Sequence, residues 1–375
     1  MISVTRTAAA RASEVDLDAV IDKDAVYLRS RGSTGGGRRI LYVNSYGGRK
    51  LWSDFIQGIT PSHHFWGCIE LCRMGYEIAI PEPIPDFNYR RNPLPHDFRI
   101  LGLARRWLGR DDILYCAHNV LFWLPLLRRF GGLRCRIVSL LYARETLDSA
   151  AGHDGIIGLN PAATEQARKL APSALVAHLG WGADLSAFPA LPYHPDFLLS
   201  CGVTFRDNRT LSRAAAIAGI PVRLIVPTHP DGKWPSNVEI IESRRGLSTS
   251  IKPISFYSLL NDHYSRASAS LIITGHDPKQ EGACGFTNLI EAMAMARPVI
   301  LTRTGSLVTE IDVEKEGCGL FVPYGDAEAL AHAMRVITDD PSRAAGMGRR
   351  GRAIAEERYS IGRFARRLDD FFRQI

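Results

Sequence analysis

Short runs of β-branched and aromatic residues alternate along the chain with stretches whose apolar residues recur at helical spacing. The first run is Arg39–Tyr46 (RILYVNSY), which ends in Gly47-Gly48. Helical spacing follows in His63–Met74, and Glu77–Pro81 is the next short apolar run. Because buried strands that alternate with helices are typical of parallel sheets, the pattern predicts a doubly wound α/β fold.

The alternation occurs twice, on either side of a proline-rich segment. Phe188–Asp196 (FPALPYHPD) has three prolines in nine residues, and strands and helices resume after it. We therefore expect two Rossmann-like, doubly wound parallel-sheet domains joined by a linker. The expected boundaries are a flexible leader at 1–38, an N-terminal domain at 39–187, a linker at 188–196, a C-terminal domain at 197–342 and a C-terminal helix at 343–375.

Length and composition agree with two globular domains. The chain has 375 residues, of which 46% are hydrophobic and 23% charged, and this excludes wholesale disorder. Lys and Arg number 46 against 39 Asp and Glu, a formal charge of +7. A basic excess suits an anionic ligand, an anionic membrane surface or a nucleic acid. No basic–aromatic pattern of a nucleic-acid-binding motif occurs, so a nucleic-acid partner is not expected.

The cysteines and the apolar runs predict a cytoplasmic protein. Seven cysteines are scattered without a C-x-x-C pair, which is typical of a reducing compartment. The longest uncharged apolar run, Val120–Leu127, is too short to span a bilayer. The first fifteen residues have no apolar core of a signal peptide.

The segment Gly282–Leu307 (GACGFTNLIEAMAMARPVILTRTGSL) carries the most chemical information. It follows a predicted strand, SLIITG, and opens a helix whose first turn holds Gly285, Phe286, Thr287 and Asn288. Unpaired amides and the positive dipole end of a helix suit a diphosphate. Glu291, one turn further, is placed to accept hydrogen bonds from a ribose diol. The alternative is an ordinary capping loop with Glu291 on the helix surface.

This segment resembles the donor-binding motif of retaining GT-B glycosyltransferases of glycosyl transferases group 1 (family 4-like). Glu291-Ala292-Met293-Ala294 and Pro298-Val299 match the motif, and Ala296 stands in place of its usual glycine. Three further stretches also resemble the family, namely Gly180–Phe188 (GWGADLSAF), Glu316–Gly325 (EGCGLFVPYG) and Asp326–Leu330 (DAEAL). Several matches in the right order are more specific than a single glycine motif.

The resemblance implies a GT-B architecture, in which two Rossmann-like domains face each other across a cleft. The C-terminal domain would bind a nucleotide-diphosphate sugar, and the N-terminal domain a glycan or lipid-linked acceptor. Glu291 would hold the ribose, and the amides of Gly285–Asn288 the diphosphate. The implied reaction is sugar transfer to a hydroxyl with retention of configuration, without a cofactor or a tightly bound metal. The last helix would cross back to the N-terminal domain.

Two positions depart from the family pattern. Ala283 stands where many relatives carry a second glutamate, and Val203 where they carry an arginine. Since the leaving diphosphate gains charge, a positive group is needed, and Arg206 or Arg209 would supply it. The departures leave a second hypothesis open, a catalytically silent GT-B subunit that binds a nucleotide sugar or a partner protein. A sugar-nucleotide epimerase is weaker, since no convincing pair of acid–base carboxylates is evident.

Three candidates come from the N-terminal half. In the family, the loop at Gly47-Gly48 lines the cleft near the phosphates and acceptor, and the alternative is an ordinary tight turn. His118 ends the predicted strand DILYCAH, where the family often places a histidine that faces the transferred sugar, and a core histidine is the alternative. His63 or His64, near a predicted helix start, could face the cleft.

A metal site at the first predicted helix is not favoured. His64, Cys68 and Cys72 are spaced by four residues on one helix face. Three ligands spread over two helical turns cannot close around one ion, and no fourth ligand is evident. Packing is the preferred interpretation.

The basic, apolar stretch Trp123–Arg136 (WLPLLRRFGGLRCR) suits either a membrane surface or an amphipathic Rossmann helix. Residues 1–187 hold 23 Lys and Arg against 18 Asp and Glu, and residues 341–375 hold 9 against 4. If the last helix packs back, the N-terminal lobe carries about +10. The basic excess therefore points to the acceptor side, with anionic lipid or a lipid diphosphate acceptor as the expected partner. The protein is expected to be cytoplasmic, with possible association with an anionic membrane surface.

Overall fold

The structure is a computed structural model of the chain. It describes residues 16–44, 47–82, 93–117, 123–128, 130–141, 152–188, 192–202, 205–242, 259–275, 284–304 and 310–375. None of the helices in these ranges combines the length and apolar character that a bilayer crossing requires.

The chain divides into two compact units, and the first is discontinuous. Unit 1 comprises Met1–Trp181 and Ile361–Ile375, and unit 2 comprises Gly182–Ser360. The change of unit therefore falls before the proline-rich segment, not at residues 188–196. The C-terminal stretch 343–375 is not one helix, because the chain pairs at Ser360 with Ala183 in an isolated parallel bridge.

Unit 1 contains eight strands and six helices among its described residues. The strands are β1 (Leu17–Ile21), β2 (Ala25–Ser30), β3 (Arg39–Val43), β4 (Glu77–Pro81), β5 (Ile113–Ala117), β6 (Arg136–Leu141), β7 (Gly155–Gly158) and β8 (Leu175–His178). The helices are α1 (Gly48–Ile56), α2 (Cys68–Arg73), α3 (Pro93–Trp107), α4 (Leu124–Arg128), α5 (Pro161–Leu170) and α10 (Ile361–Gln374).

The sheet of unit 1 has the order β1-β2-β4-β3-β5-β6-β7-β8. Strands β3 to β8 are parallel, whereas β1 and β2 form an antiparallel hairpin that joins β4. The prediction of a flexible leader over 1–38 is therefore wrong for residues 17–30. The hairpin escaped detection because its second strand, AVYLRS, buries only alternate positions towards its end and lacks a long apolar run.

Helix α10 belongs to the core of unit 1. Its apolar face, which includes Phe364, Leu368 and Phe372, is buried. The ring of Phe372 meets that of Tyr115 edge-on at 5.6 Å. Gly67, just before α2, has a φ of 86°, and a Cβ there would lie 2.8 Å from Leu368 Cδ1. The glycine thus permits close contact between the start of α2 and α10.

Unit 2 contains six strands and four helices among its described residues. The strands are β9 (Phe197–Cys201), β10 (Val222–Val226), β11 (Val238–Glu242), β12 (Ala267–Ile272), β13 (Val299–Thr302) and β14 (Gly319–Val322). The helices are α6 (Asn208–Ala218), α7 (Phe286–Ala294), α8 (Ala327–Asp339) and α9 (Pro341–Arg358). Short helical turns lie at Leu259–His263 and Tyr264–Arg266.

The sheet of unit 2 is parallel throughout, with the order β11-β10-β9-β12-β13-β14. In chain order this is 3-2-1-4-5-6, the arrangement of dinucleotide-binding folds. Helices α6 and α8 cover one face and share a core with the strands, which includes Leu211, Leu224, Leu271 and Leu330. The strand order reverses between β9 and β12, and this places a crevice at their carboxyl ends.

Candidate functional site

The loop after β9 crosses the carboxyl end of β12. Arg206 forms an isolated antiparallel bridge with Thr274, and the Gly275 amide donates to the Phe205 carbonyl at 2.8 Å. Phe205 has a φ of 51°, in the left-handed region that non-glycine residues rarely occupy. These contacts fix the loop at the switch point of the sheet.

Arg206 is held in one position by its hydrogen bonds. Its Nε and Nη2 both donate to the Cys201 carbonyl at 3.3 Å, and Nη2 donates to Asn288 Oδ1 at 2.5 Å. Gly202 has a φ of 107°, and a Cβ there would lie 2.4 Å from Arg206 Nη2. The guanidinium therefore packs directly over Gly202, where a side chain would be strained by the positive φ and would displace Arg206.

Helix α7 begins beside this guanidinium. Gly285 is its N-cap residue, with a φ of 86°, and a Cβ at Gly285 would lie 3.7 Å from Arg206 Nη1. Intrahelical bonding starts with the Leu289 amide, which donates to the Gly285 carbonyl at 2.9 Å. The preceding amides of Phe286, Thr287 and Asn288 thus belong to the helix end that attracts anions. A cation and a helix N-terminus together suit a diphosphate.

Glu291 lies one turn further along α7 and is buried, with 9% of its surface exposed. Burial raises the pKa of its carboxyl to about 7, because the charged form loses solvation, while donation from Asn288 opposes the rise. Asn288 Nδ2 donates to Glu291 Oε2 at 3.4 Å. Glu291 is therefore not the solvated surface residue of the alternative interpretation.

The other residues predicted to bind the donor are Arg209, Phe286 and Thr287, and their surroundings differ from those of Arg206 and Glu291. Arg209 is exposed in the first turn of α6, and Asp207 caps that helix by accepting from the Thr210 amide at 2.9 Å. The side chain of Phe286 is buried and meets the ring of Tyr359 edge-on at 5.7 Å, so its side chain has a packing role. Thr287 is half-buried. Ala283 and Val203 lie outside the described residues.

Sequence reasoning missed two polar groups behind Glu291. Cys201 Sγ lies 3.2 Å from the Tyr264 hydroxyl and accepts from Asn288 Nδ2 at 3.6 Å. Burial is the main reason that the pKa of the Cys201 thiol rises to about 11 and that of Tyr264 rises well above its usual range. Cys201 could have been identified from the sequence, because it ends the first strand after the linker and so lies at the switch point. The residues around Tyr264 carry no pattern that indicates a role in a site.

The strand order of unit 1 reverses between β3 and β5, and Gly47 and Gly48 follow β3. Gly48 begins α1, and a Cβ there would lie 2.4 Å from the Ile80 carbonyl oxygen, so the glycine is needed for packing. The Arg49 amide at this helix end donates to Glu82 Oε1. A protein carboxylate thus occupies part of the N-terminus of α1. His118, directly after β5, lies outside the described residues.

His64 lies in a short 3-10 turn at Ser62–Phe65 and is half-buried. Its ring is 4.9 Å from that of His63, which in turn meets Trp181 edge-on at 5.0 Å. Burial, with a contribution from His64, holds the pKa of His63 well below its usual range. The pair therefore favours the neutral imidazole at His63.

Cys68 and Cys72 are buried within α2, and burial raises the pKa of Cys72 to about 12 and that of Cys68 well above its usual range. The burial of both thiols agrees with a packing role. Within the described ranges, no group of three His, Cys, Asp or Glu residues could hold a metal ion. Metal independence of the reaction stays a prediction.

The chain is similar to known proteins at two levels. Residues 217–340 match the family model described as "Glycosyl transferases group 1". No curated protein sequence matches the chain significantly.

Solved structures match almost the whole chain at low identity. Sucrose-phosphate synthase from Thermosynechococcus elongatus has a TM-score of 0.66 at 15% identity, over 90% of this chain and 98% of that one. The E. coli structure described as "Trehalose-6-phosphate", bound with UDP-2-fluoro glucose, has a TM-score of 0.62 at 10% identity, over 90% of this chain and 99% of that one. Anabaena Alr3699/HepE in complex with UDP has a TM-score of 0.58 at 12% identity, over 90% of this chain and 100% of that one.

At these identities the structural matches establish the fold, and the family model adds a similarity confined to residues 217–340 of unit 2. Two α/β units, one with a parallel sheet and one with a sheet that is parallel apart from an edge hairpin, agree with this fold. Residues 217–340 therefore resemble the glycosyl transferases group 1 family, and the chain as a whole has the GT-B fold.

Proposed function

We propose that the chain transfers a sugar from a nucleoside diphosphate sugar to a hydroxyl acceptor with retention of configuration, in the synthesis of a glycan, polysaccharide or glycolipid. The observation that carries this proposal is the Arg206 guanidinium beside the N-terminus of α7, with Glu291 one turn away. Neighbours of the same fold were solved with UDP and with UDP-2-fluoro glucose, which supports a nucleotide-sugar donor.

The chemistry asked of these residues is charge stabilisation and positioning. As the glycosidic bond breaks, negative charge develops on the leaving diphosphate, and Arg206 with the α7 amides stabilises it. The leaving phosphate accepts the proton of the acceptor hydroxyl on the same face of the sugar, so the reaction needs no protein nucleophile and no cofactor. Glu291 accepts hydrogen bonds from the ribose hydroxyls and orients the donor.

Calorimetry with UDP, GDP, ADP and dTDP tests the donor site. We expect one of them to bind, and Arg206→Gln and Glu291→Ala each to weaken that binding at least 10-fold. Arg213→Gln is the matched control, because Arg213 is exposed on α6. Unchanged affinity in both site variants would refute the assignment of this site.

A catalytically silent subunit is the second candidate, and the residues that favour it are Ala283 and Val203, which stand where relatives carry charged residues. The two candidates differ in turnover. An active transferase releases nucleoside diphosphate slowly from the matching nucleotide sugar without acceptor, whereas a silent subunit binds it and releases none.

We further propose that a lipid-linked acceptor brings unit 1 to an anionic membrane. Twelve large apolar side chains are exposed in the described part of the chain, and five of them lie on α3 and around α4. We call this set the apolar–basic surface, and it consists of Leu94, Phe98, Trp123, Leu126 and Phe130, with the exposed Arg105, Arg110 and Arg134.

Hydrogen bonds join the two parts of the apolar–basic surface. Asp97 Oδ2 accepts from the Leu124 amide at 2.9 Å, and Arg105 Nε donates to the Gly132 carbonyl at 2.8 Å. Exposed aromatic and basic side chains on one face suit an anionic interface.

Sedimentation with vesicles of equimolar phosphatidylglycerol and phosphatidylcholine tests the membrane proposal. We expect binding at low salt that phosphatidylcholine alone does not support. The double variant Trp123→Ser/Phe130→Ser should lose most of it, and Val20→Ser, an exposed apolar position on β1, should not. Equal sedimentation with both vesicle types would contradict the proposal.

A further inference from the structure

The side chain of Asn288 lies between the two charged groups of the candidate site. Its Oδ1 accepts from Arg206 Nη2 at 2.5 Å, and its Nδ2 donates to Glu291 Oε2 at 3.4 Å. Nδ2 also lies 3.6 Å from Cys201 Sγ. A single amide thus contacts the group placed for the diphosphate and the group placed for the ribose.

An amide is the appropriate group at this position. A guanidinium has only donors and a carboxylate only acceptors, so the bridging group must accept on one side and donate on the other. Aspartate would pair with Arg206 and repel Glu291. Leucine, with the same number of side-chain heavy atoms, would remove both bonds to Asn288, while Arg206 would keep those to the Cys201 carbonyl. A Cβ at Gly202 would lie 2.7 Å from Asn288 Oδ1, so the absence of a side chain at Gly202 makes room for the Asn288 amide beside Arg206.

We infer that Asn288 is a positioning residue that couples recognition of the donor diphosphate by Arg206 to recognition of the donor ribose by Glu291. The inference rests on the proposed function. Asn288 acts through its two partners, because it aims the guanidinium at the N-terminus of α7 and orients the Glu291 carboxylate. Its removal should therefore affect both halves of the donor at once.

The coupling has a consequence for pH dependence. Burial brings the pKa of Glu291 to about 7, and the Asn288 donation keeps it from rising further. The other groups that face Glu291 are the Cys201 thiol and the Tyr264 hydroxyl, both protonated at neutral pH, and Arg206 acts through Asn288. A ribose diol donates to the ionised carboxylate, so donor affinity should fall as the pH drops through about 7. Without Asn288, the midpoint should move to higher pH.

The experiment compares nucleoside diphosphate binding by calorimetry between pH 5.5 and 8.5, with whichever of UDP, GDP, ADP and dTDP binds the wild type. Asn288→Leu should weaken binding 10- to 100-fold and raise the pH midpoint by half a unit or more. Asn288→Asp should weaken it further. Asn288→Leu and Arg206→Gln should be strongly non-additive, since each removes the same contact.

Asn237→Leu is the matched control. Asn237 Nδ2 donates only to backbone carbonyls, at Ala215 and Ile220, in the part of unit 2 next to α6. This variant should lower the melting temperature without moving the pH midpoint. If the Asn288 and Arg206 effects add in full, or if the midpoint of Asn288→Leu stays at the wild-type value, the inference is wrong. If the wild type binds none of the four nucleotides, the proposed function fails instead.

Discussion

Arg206 and Arg209 lie only three positions apart, but their side chains have different surroundings. The sequence left both open as the charge that stabilises the diphosphate. Arg206 bonds to Asn288 beside the α7 N-terminus, whereas Arg209 is exposed on α6. The difference comes from the loop after β9, which turns back along β12 through Phe205 before α6 begins.

The buried Glu291 carboxyl should lower the free energy of unfolding at alkaline pH. Its pKa is raised from 4.5 to about 7, so the folded state retains a proton that the unfolded state releases. Its contribution to stability is fully present below pH 4.5 and is lost as the pH rises through 7. We expect Glu291→Gln to be more stable than the wild type at pH 8, by at most roughly 3 kcal/mol, and the gap to shrink at pH 5.

Urea denaturation at the two pH values measures this effect. Glu328→Gln is the control, since Glu328 is exposed on α8. It should change stability little and equally at both pH values. A Glu291→Gln variant that is less stable than the wild type at pH 8 would contradict the expectation.

Ala296 replaces the usual glycine of the family motif in a strained conformation. Its φ is 54°, in the left-handed region, where a Cβ costs about 1–2 kcal/mol. Glycine loses more entropy on folding, which offsets part of the gain. We expect Ala296→Gly to raise the free energy of unfolding by about 0.5–1 kcal/mol in urea denaturation.

The same substitution in a regular helix should act in the opposite direction. Ala353 is exposed in α9, and Ala353→Gly should lower the free energy of unfolding by about 1 kcal/mol. Destabilisation by Ala296→Gly as well would show that the positive φ carries no strain.

At the scale of elements, glycines in α9 decide how closely it packs on the end of α7. A Cβ at Gly348 would lie 2.1 Å from the Ala296 carbonyl oxygen, and one at Gly351 would lie 3.3 Å from Met293 Cγ. The nearest atom to a Cβ at Gly346 is Arg349 Nη2, at 3.8 Å, the end of a flexible side chain. All three are glycines within one helix, but only Gly348 and Gly351 lie against residues of α7 or its C-terminal end.

Gly348→Ala and Gly346→Ala should therefore change stability with opposite signs. The first forces α9 away from backbone atoms and should cost about 1–3 kcal/mol. The second gains helix propensity and should add up to about 1 kcal/mol. Thermal denaturation of both variants measures the difference, and equal melting temperatures would contradict the close approach.

At the scale of the whole molecule, the chain ends in the unit in which it begins. Unit 1 carries 27 Lys and Arg against 19 Asp and Glu, a formal charge of +8, and unit 2 carries 19 against 20. The expectation of about +10 for the N-terminal lobe was too high, because α9 with its arginines belongs to unit 2. The basic excess nevertheless lies in unit 1.

Deletion of residues 361–375 should destabilise unit 1 selectively. The deletion removes the buried face of α10, including Phe364 and Leu368, and it uncovers Tyr115 of β5. We expect amides of β3 and β5 to lose protection in hydrogen exchange, while those of β9 and β12 keep theirs and serve as the internal control. Equal loss of protection in both units would contradict a division at residue 360.

The sequence by itself determined the α/β class, the two-unit plan and the position of helix α7. Apolar runs and helical spacing identify strands and helices, and the Gly285–Glu291 segment carries its helix-start and family signals locally. These features depend on neighbours within a few residues. The edge hairpin at residues 17–30 and the break at Ser360 were missed because partners far along the chain stabilise them.

Only the tertiary structure decided which side chains meet. Arg206 and Asn288 are 82 positions apart, and their bond follows from the strand order that makes β9 and β12 neighbours. Glu291 likewise interacts electrostatically with Cys201 of β9 and with Tyr264, which are 90 and 27 positions away in the chain. Sequence distance carries no information on such contacts, because packing of the sheet creates them.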